Sequence, residues 1–448
     1  MKKLFGTDGI RGEAGTFPLD ATTVHKIGGS LARQFSEKLG RSPRFVTGRD
    51  TRESGSWIED AFHNGAKAED AACESAGVIT TPGVAFITGK FGFDLGIVIS
   101  ASHNPFQDNG IKVFLPSGRK VDELIEAEIE KDVFGESFEG GGIGAENADS
   151  TREVEFRDAY LAYLASEMHG LKLGGYKIVV DCANGAASEL APALFAGFGA
   201  AVTAFNDKPN GRNINEDCGS LHLGHLQTKV LEINADFGVA LDGDADRALF
   251  VDETGNIVDG DATLWIMAKY LQDHRSLKND KVVATVMSNI GLEIALKKRD
   301  IDLVRTDVGD KYVLAELLKS GSTIGGEQSG HVIFPEKSLV GDGMMTATYL
   351  LEAIKEKGVS FSEMTDGFKQ FPQILVNVRV KEKQPFDSVP EIAAASKAIE
   401  NELDGKGRLL LRYSGTENLA RVMIEGEDQA AIEMQANQLA DVIRKRLG

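Results

Sequence analysis

The sequence predicts an α/β protein in which one βα arrangement occurs three times and a small α+β domain follows. Three segments open alike, each with a basic residue before a short apolar strand: residues 44–48, 177–181 and 281–285. A loop with glycine or asparagine and then a helical pattern follow each one, at residues 56–72, 187–198 and 292–299. Strands that alternate with helices of this length are typical of βα units and parallel sheet.

Composition marks the boundaries between these parts. Residues 135–150 hold five glycines after an acidic helix predicted over 121–133, and they favour a flexible connector. A turn at 253–260 and a break at 367–372 give the other two boundaries. Beyond the last one we expect a small α+β domain, with strands at 374–380, 408–412 and 420–425 and helices at 389–402 and 429–447. The predicted domains are therefore residues 1–150, 151–254, 255–367 and 368–448.

The charge balance excludes some partners. The 448 residues include 49 Lys and Arg against 68 Asp and Glu, a formal charge of −19. This argues against nucleic acid or an anionic membrane as a partner, and an anionic small substrate would need a locally basic pocket. No signal peptide or membrane span is predicted, and Cys73, Cys182 and Cys218 have no metal spacing. We therefore expect reduced thiols in a cytoplasmic protein.

An acidic loop (Asp242–Arg247) follows the apolar segment 237–241. Its carboxylates, Asp242, Asp244 and Asp246, repel one another, and a hard divalent cation among the oxygens would stabilise them. A calcium-binding EF-hand loop is disfavoured, because Arg247 occupies the position that needs glycine and the flanks resemble strands. The sequence favours a metal at the end of a strand, with a solvated acidic turn as the alternative.

A serine loop (Ser100–Pro105) ends the predicted buried strand 93–99. Functional groups collect at the carboxyl ends of parallel strands. Ser102 stands beside His103, and Lys112 follows. A serine near a lysine and a metal suits phosphoryl transfer. The alternative is an ordinary turn residue, whereas a serine hydrolase is disfavoured because no G-x-S-x-G motif is present.

Two later loops offer ligand-binding groups. In a glycine loop (Gly325–His331), Glu327 and Ser329 present a carboxylate and a hydroxyl that suit sugar hydroxyls. An arginine loop (Arg412–Glu417) offers a phosphate cradle, since guanidinium and consecutive N–H groups bind phosphate. Its candidate ligands are Arg412, Ser414, Gly415, Thr416 and, on the next strand, Arg421. Ordinary turns are the alternatives for both loops. Near the start of the chain, Arg11 in a glycine-containing loop is a surface charge or a second phosphate ligand.

In this order the motifs F-G-T-D-G-I-R-G, S-A-S-H-N-P, D-G-D-A-D-R, G-G-E-Q-S-G-H and R-Y-S-G-T-E resemble the α-D-phosphohexomutase superfamily over essentially the whole chain. The resemblance implies three similar mixed-sheet α/β domains and a small C-terminal α+β domain around a central cleft. It also implies a phosphoserine at Ser102 and one Mg²⁺ per subunit, held by that phosphoserine and the three aspartates. Residues 1–12, 258–261, 285–289 and 308–313 and the S-G-T-E motif resemble the branch that acts on glucosamine phosphates.

The implied reaction interconverts glucosamine 6-phosphate and glucosamine 1-phosphate through a 1,6-bisphosphate, which also acts as an activator, and supplies UDP-N-acetylglucosamine synthesis. By resemblance, Arg11, His103 and Arg247 lie near the phosphoserine. Lys112 is the candidate general acid/base, with a pKa that Arg11 and the metal would lower. Glu327 and Ser329 would bind the ring hydroxyls. The arginine-loop ligands and Arg421 would bind the distant phosphate. A hinge is expected at 367–372.

Three alternatives stay open. A related mutase for mannose or glucose phosphates would share every catalytic motif. An aspartyl-phosphate phosphatase would use Asp242, although Asp246 stands where its pattern has Thr or Val. A non-catalytic metal-binding module is the third, and the oligomeric state is open between monomer and homodimer. Two departures from the family pattern matter. Residues 77–82 are short, as if a strand after the first helix were missing, and Asn418 replaces a commoner proline.

Overall fold

The computed structural model describes residues 4–6, 8–135, 148–168, 170–414 and 417–448. They form two compact units, a first unit of residues 1–285 and 306–366 and a second unit of residues 286–305 and 367–448. The fold is of the predicted α/β class, with three mixed sheets and a small antiparallel sheet that carries its own helices. Among the described residues, no helix is both long and apolar enough to cross a membrane.

The first sheet has six strands: β1 (Phe5–Gly6), β2 (Gly9–Glu13), β3 (Arg44–Arg49), β4 (Ala72–Val78), β5 (Leu95–Ile99) and β6 (Asp108–Phe114). Their order is β1-β2-β6-β5-β3-β4, and β3 is parallel to β4 and to β5 while the other pairs are antiparallel. The accompanying helices are α1 (Ala21–Leu39), α2 (Gly55–Ala68), α3 (Thr81–Lys90) and α4 (Glu123–Phe134).

The edge of this sheet differs from expectation. The strand predicted to be missing near residues 77–82 is present as β4, so that prediction is wrong. The predicted helix 56–72 runs too far, because α2 ends at Ala68 and Asp70 adopts a left-handed φ of 60°. This turn releases the residues from Ala72 onward to pair in parallel with β3. The weak strand propensity of the segment is thus overcome by its partner strand.

The second sheet has the order β11-β10-β9-β7-β8. Its strands are β7 (Lys177–Asp181), β8 (Ala201–Phe205), β9 (Phe237–Leu241), β10 (Ala248–Asp252) and β11 (Ile257–Val258). Strand β7 is parallel to β8 and β9, and β10 is antiparallel to its two neighbours. The helices are α5 (Glu153–Ser166), α6 (Leu190–Gly197) and α7 (Gly224–Ile233).

The third part of the chain contributes helices and short strands to both units. The helices are α8 (Gly260–Asp273), α9 (Ile290–Lys297), α10 (Asp310–Ser320), α11 (Gly343–Lys357) and α12 (Phe361–Met364). The strands are β12 (Lys281–Thr285), β13 (Asp302–Thr306), β14 (Gly325–Gly326) and β15 (Val332–Ile333). Within the first unit, β12 is parallel to β14, which is antiparallel to β15. Helix α9 belongs to the second unit.

The last sheet is antiparallel, with the order β16-β18-β17. Its strands are β16 (Gln373–Arg379), β17 (Arg408–Tyr413) and β18 (Leu419–Glu425), and its helices are α13 (Pro390–Leu403) and α14 (Gln429–Leu447). One face of β17 and β18 packs with α14 in an apolar core that includes Leu411, Val422 and Leu439. The elements of this domain match the sequence prediction to within one or two residues.

Strand ends place the functional loops. All five residues of β5 and all five of β9 are buried, as in strands covered on both faces. The serine loop follows β5 and the acidic loop follows β9. Most of the predicted connector lies outside the described residues, since residues 136–147 are not described.

Candidate active site

The serine loop and the acidic loop meet in the first unit. Ser102 is fully buried, and its Oγ donates a hydrogen bond of 2.5 Å to Oδ2 of Asp242. Residue 102 adopts a left-handed φ of 53°, uncommon for a residue other than glycine. A serine hydroxyl and a carboxylate that are 140 residues apart in the sequence are therefore direct neighbours.

The acidic loop has the features of a cation site. One carboxylate oxygen from each of the three aspartates lies within 4.8 Å of the others, and all three residues are buried. Oδ1 of Asp244 and Oδ1 of Asp246 are buried, and neither accepts a hydrogen bond from the residues described. Burial, followed by the charges of Asp246 and Asp244, raises the pKa of Asp242. Open oxygen lone pairs in a cluster of like charges fit a hard divalent cation.

Lys112 contacts two carboxylates of this cluster and one from outside it. Its Nζ lies 3.0 Å from Oδ2 of Asp244, 3.2 Å from Oδ2 of Asp246 and 3.3 Å from Oδ2 of Asp8. Burial lowers the pKa of Lys112, but the three carboxylates outweigh burial and hold the pKa well above its usual value. Arg11 lowers this pKa, as predicted, but its effect is smaller than that of the surrounding carboxylates. The further lowering by a bound metal stays a prediction.

The other residues predicted near the serine line one cavity of about 450 Å³, together with residues 4–6, 8 and 9. Arg11 donates to the backbone oxygen of Ala101 at 3.0 Å. Nδ1 of His103 lies 3.3 Å from Oγ of Ser102 and 3.1 Å from Nη1 of Arg247. Burial, with the charges of Arg247 and Arg11, lowers the pKa of His103 to about 4. The imidazole is therefore neutral near pH 7, beside two cationic guanidinium groups.

The glycine loop borders the acidic loop. Oε1 of Glu327 accepts a hydrogen bond of 3.2 Å from the backbone N–H of Gly309, and Ser329 is exposed. The backbone oxygen of Gly330 accepts from the N–H of Ala248, the first residue of β10. Nδ1 of the buried His331 lies 3.7 Å from Oδ1 of Asp246. Glu327 and Ser329, which are predicted to bind sugar, therefore lie in a loop that contacts Asp246 of the acidic loop and the strand that follows it.

The arginine loop belongs to the second unit. Arg412 and Arg421 are directly opposite each other in the register of β17 and β18. Nε of Arg421 is buried and has no hydrogen-bond partner in the described part of the chain. Ser414 is buried, and its backbone oxygen accepts from Nζ of Lys383 at 2.6 Å. Three cationic groups are thus close to this loop, while Gly415 and Thr416 lie outside the described residues.

Sequence reasoning missed several residues of these sites. Asp8 and His331 lie inside motifs that carried the resemblance, so a signal for them was present. Thr81, whose Oγ1 donates to Oδ2 of Asp244 at 2.6 Å, and Lys383 lie in stretches without chemical signature. Their contacts reach across 163 and 31 residues of sequence, which local patterns do not reveal.

Comparison with known proteins identifies the family. The phosphoglucomutase/phosphomannomutase models match at residues 2–140 for alpha/beta/alpha domain I, 158–255 for domain II, 259–371 for domain III and 375–442 for the C-terminal domain. A phosphoglucosamine mutase of Solibacter usitatus is 46% identical over 447 residues, covering 100% of this chain and 99% of the relative. The chain belongs to the phosphoglucosamine mutase family. A second member of that family, from Koribacter versatilis, is 45% identical over 456 residues, covering 100% of this chain and 98% of the relative.

Solved structures show the same fold. A phosphoglucomutase/phosphomannomutase family protein from Burkholderia thailandensis has a TM-score of 0.79 at 23% identity, covering 99% of this chain and 98% of that one. The N-acetylphosphoglucosamine mutase of Aspergillus fumigatus, in complex with GlcNAc-6P and magnesium, has a TM-score of 0.67 at 20% identity, covering 99% and 95%. As a member of the phosphoglucosamine mutase family, the chain is an isomerase of the phosphotransferase type.

Proposed function

We propose that the chain interconverts glucosamine 6-phosphate and glucosamine 1-phosphate through a phosphoserine at Ser102 and a 1,6-bisphosphate. The observation that carries this proposal is the 2.5 Å contact of the Ser102 hydroxyl with Asp242 in the acidic loop. A hydroxyl that carries a phosphoryl group needs cationic groups close by, because phosphoryl transfer depends on positioning and charge neutralisation. Arg11 and Arg247 supply two such charges: Arg11 binds the backbone oxygen of Ala101, and Arg247 contacts His103, whose Nδ1 lies 3.3 Å from the hydroxyl.

In the first half-reaction, the free hydroxyl oxygen of the sugar phosphate attacks the phosphorus on Ser102. The bond from phosphorus to Oγ breaks as the bond from phosphorus to the sugar oxygen forms. Lys112 gives a proton to Oγ and takes up the proton of the sugar hydroxyl, so that its own protonation is unchanged after the step. The products are unmodified Ser102 and a sugar 1,6-bisphosphate, and no other reactant is consumed.

In the second half-reaction, the bisphosphate presents its other phosphate to Ser102 and the same exchange runs in reverse. The sugar must turn over between the two halves, which requires movement of the protein around it. We place the hinge at Gly367–Pro372. The second unit resumes at Gly367, whose φ of 93° is open only to glycine at low cost.

Asp242, Asp244 and Asp246, with an oxygen of the phosphorylated Ser102, would hold one Mg²⁺ per subunit. Their all-oxygen donor set suits Mg²⁺. Oδ1 of Asp244 and Oδ1 of Asp246, which accept no hydrogen bond from the described residues, support the assignment. When bound there, the ion neutralises negative charge that develops on the transferring phosphoryl group. The bisphosphate would also act as an activator by restoring the phosphate on Ser102.

We assign the substrate contacts to two loops. Glu327 and Ser329 would bind ring hydroxyls, and the distant phosphate would bind Arg412, Ser414, Gly415, Thr416 and Arg421. The opposed guanidinium groups of the two arginines support this assignment, since an anion between them removes their repulsion. This local basic charge would bind the anionic substrate against the formal charge of −19.

The remaining assignments concern the setting of the reaction. We divide the chain into domains 1–150, 151–254, 255–367 and 368–448, close to the ranges that the family models cover. We assign the reaction to the cytoplasm and to amino-sugar metabolism, because all three cysteines are free and the named relatives are phosphoglucosamine mutases. The phosphosugar is the expected partner, and the oligomeric state is to be measured by light scattering.

The test is isomerisation of glucosamine 1-phosphate by the wild-type protein and by Ser102→Ala, with intact-mass analysis of both. We expect a phosphate on Ser102 in the wild type, and loss of both phosphate and activity in the variant. The matched control is Ser117→Ala, an exposed serine of the same domain, which should behave as the wild type.

The same assay separates the alternatives. Higher kcat/KM with glucose or mannose phosphates than with glucosamine phosphates would assign the chain to the related mutases. Release of inorganic phosphate without isomer formation would indicate the phosphatase. Wild-type activity in Ser102→Ala would remove the proposed mechanism.

A further inference from the structure

Two side chains outside the proposed catalytic set hold the serine loop. Nη2 of Arg52 donates to the backbone oxygens of Ser102 at 3.2 Å and of Asn104 at 2.5 Å. Nδ2 of Asn215 donates to the same two oxygens, at 2.9 Å and 3.0 Å. The serine loop is thus bound both by Arg52, which follows β3, and by Asn215, which belongs to the domain of the second sheet.

Both donors are themselves fixed in place. Arg52 is 2% exposed and forms an ion pair with the fully buried Asp50. The backbone N–H of Asn215 donates to the backbone oxygen of Ala183 at 2.9 Å, two residues beyond the end of β7. The two donors therefore hold the serine loop in a fixed position relative to the first and the second sheet.

The acidic loop contacts the same point. A Cβ on Gly243 would lie 2.5 Å from the backbone oxygen of Ser102 and 2.9 Å from Nδ2 of Asn215, closer than real atoms pack. Only glycine therefore allows the three segments to meet here. The amide of Asn215 is in contact with both the loop that would carry the phosphoryl group and the loop that would hold the metal.

The backbone of Ser102 needs such support. Its φ of 53° is unfavourable for serine, and such a conformation persists only where the surroundings fix it. Without the two donors, the peptide group that follows Ser102, whose oxygen both donors bind, would be free to rotate to a more favourable conformation. The Oγ atom would then leave Asp242, although no group that contacts the sugar would have changed.

We propose that Asn215, together with Arg52, is a positioning residue that locks Ser102 in its left-handed conformation and sets the distance between the phosphoryl-bearing hydroxyl and the acidic loop. This inference rests on the proposed function, since it concerns the rate at which the phosphoryl group leaves and returns to Ser102. Arg52 is the less suitable residue to change, because its removal leaves the buried Asp50 without its cation.

Asn215 offers two clean substitutions. Its own φ of 59° is tolerated by Asp and by Gly, so neither change adds backbone strain. Asn215→Asp keeps the shape but replaces the donor with a negatively charged acceptor, whereas Asn215→Gly removes the side chain without adding charge. The matched control is Asn213→Asp in the same loop, where the amide donates to the backbone oxygen of Lys208 at 3.1 Å and to no other of the described residues.

The experiment measures steady-state kinetics with glucosamine 1-phosphate and the single-turnover loss of phosphate from Ser102 by intact mass. We expect both Asn215 variants to lower kcat and the single-turnover rate by about tenfold to 100-fold, with KM within about threefold of the wild type. Asn213→Asp should stay within about twofold of the wild type in all three quantities. The contrast between kcat and KM distinguishes positioning of Ser102 from a general structural effect.

Several outcomes would overturn the inference. They are a kcat within twofold of the wild type in both Asn215 variants, equal losses in the Asn213 control, and loss of the folded state by circular dichroism in both Asn215 variants. Loss of the folded state would show that Asn215 stabilises the whole domain and does not act specifically on the conformation of Ser102. Failure of the proposed function looks different, because the wild-type protein itself would then neither carry phosphate on Ser102 nor isomerise the sugar.

Discussion

Arg412 and Arg421 are directly opposite each other on the neighbouring strands β17 and β18. Like charges at opposed positions of an antiparallel pair destabilise the sheet. Four residues earlier on β17, Arg408 is opposite Glu425 and forms an ion pair with it at 2.9 Å. The same two strands thus carry one neutral charge pair and one doubly cationic pair, and the cationic pair is suited to an anionic ligand.

Arg412→Ala should raise KM for the sugar phosphate. A charge-assisted hydrogen bond contributes about 1.5–3 kcal/mol, which corresponds to a rise of about tenfold to 150-fold. The control is Arg379→Ala, which removes an exposed arginine of the same sheet and should leave KM unchanged. An unaltered KM in Arg412→Ala would remove the arginine loop from the substrate site.

Lys120 joins two acidic side chains that belong to different parts of the first unit. It forms ion pairs with Asp8 and, at 2.6 Å, with Asp310 at the start of α10. The Lys120 side chain is 25% exposed, which limits the energy of the pairs through solvent screening. Lys120→Met should therefore lower the free energy of unfolding by about 1–3 kcal/mol, because it removes the cation paired with Asp310, whereas Asp8 keeps its contacts with Arg11 and Lys112.

A double-mutant cycle tests the origin of that loss. The combination Lys120→Met with Asp310→Asn should lose less stability in urea than the sum of the two single variants. Lys131→Met removes an exposed lysine paired with Glu128 and should leave stability nearly unchanged. Strict additivity of the two single variants would show that the contact of Lys120 with Asp310 contributes nothing.

Asp342 gives a prediction for pH. Its carboxylate caps α11 through the N–H of Met345 and accepts a hydrogen bond from the Tyr160 hydroxyl at 2.9 Å. Burial raises the pKa of Asp342 to about 6. Between pH 4 and 6 the unfolded chain releases this proton while the folded chain retains it, so stability falls as pH rises through the window.

Asp342→Asn removes this penalty, because asparagine is neutral and also caps helices. Relative to the wild type, the variant should gain up to about 3 kcal/mol in unfolding free energy between pH 4 and pH 7. The measurement is urea unfolding across that range. Asp428→Asn makes the same exchange at the exposed cap of α14 and serves as the control for replacing a capping aspartate. A constant difference in Asp342→Asn would refute the prediction.

Mg²⁺ should stabilise the protein in the absence of substrate. An ion that binds only the folded state adds about 2.7 kcal/mol at 100 times its Kd, and Tm rises accordingly. Asp242→Asn should abolish most of this rise, since it removes a charge from the acidic loop. Asp236→Asn, an exposed position before β9, should retain it. Equal rises in Tm in the two variants would place the Mg²⁺ effect elsewhere.

The sequence was sufficient where local pattern decides structure. The apolar runs of β5 and β9 predicted buried strands, and the polar residues after each run predicted where chemistry would lie. It failed at the first sheet's edge, because β4 has few strand-favouring residues and is held by pairing with β3. Tertiary pairing there outweighs propensity.

The proximity of Ser102 to the acidic loop was predicted, but the electrostatics around these residues were not. The three aspartates are a local motif, whereas the charge on Lys112 depends on Asp8 and Asp244, which are 104 and 132 residues away in sequence. The hydrogen bond from Asn215 to Ser102 joins residues that are 113 positions apart, and no local sequence pattern predicts it. Such contacts become visible only when the sheets are assembled.

Transfer of a labelled phosphoryl group from Ser102 tests the central claim most directly. The protein is loaded with ³²P from a labelled hexose 1,6-bisphosphate, freed of excess label and mixed with unlabelled glucosamine 6-phosphate in a single turnover. We predict that the label leaves Ser102 and appears in the sugar bisphosphate and then in glucosamine 1-phosphate. Label that stays on the protein, or that is released only as inorganic phosphate, would contradict this mechanism.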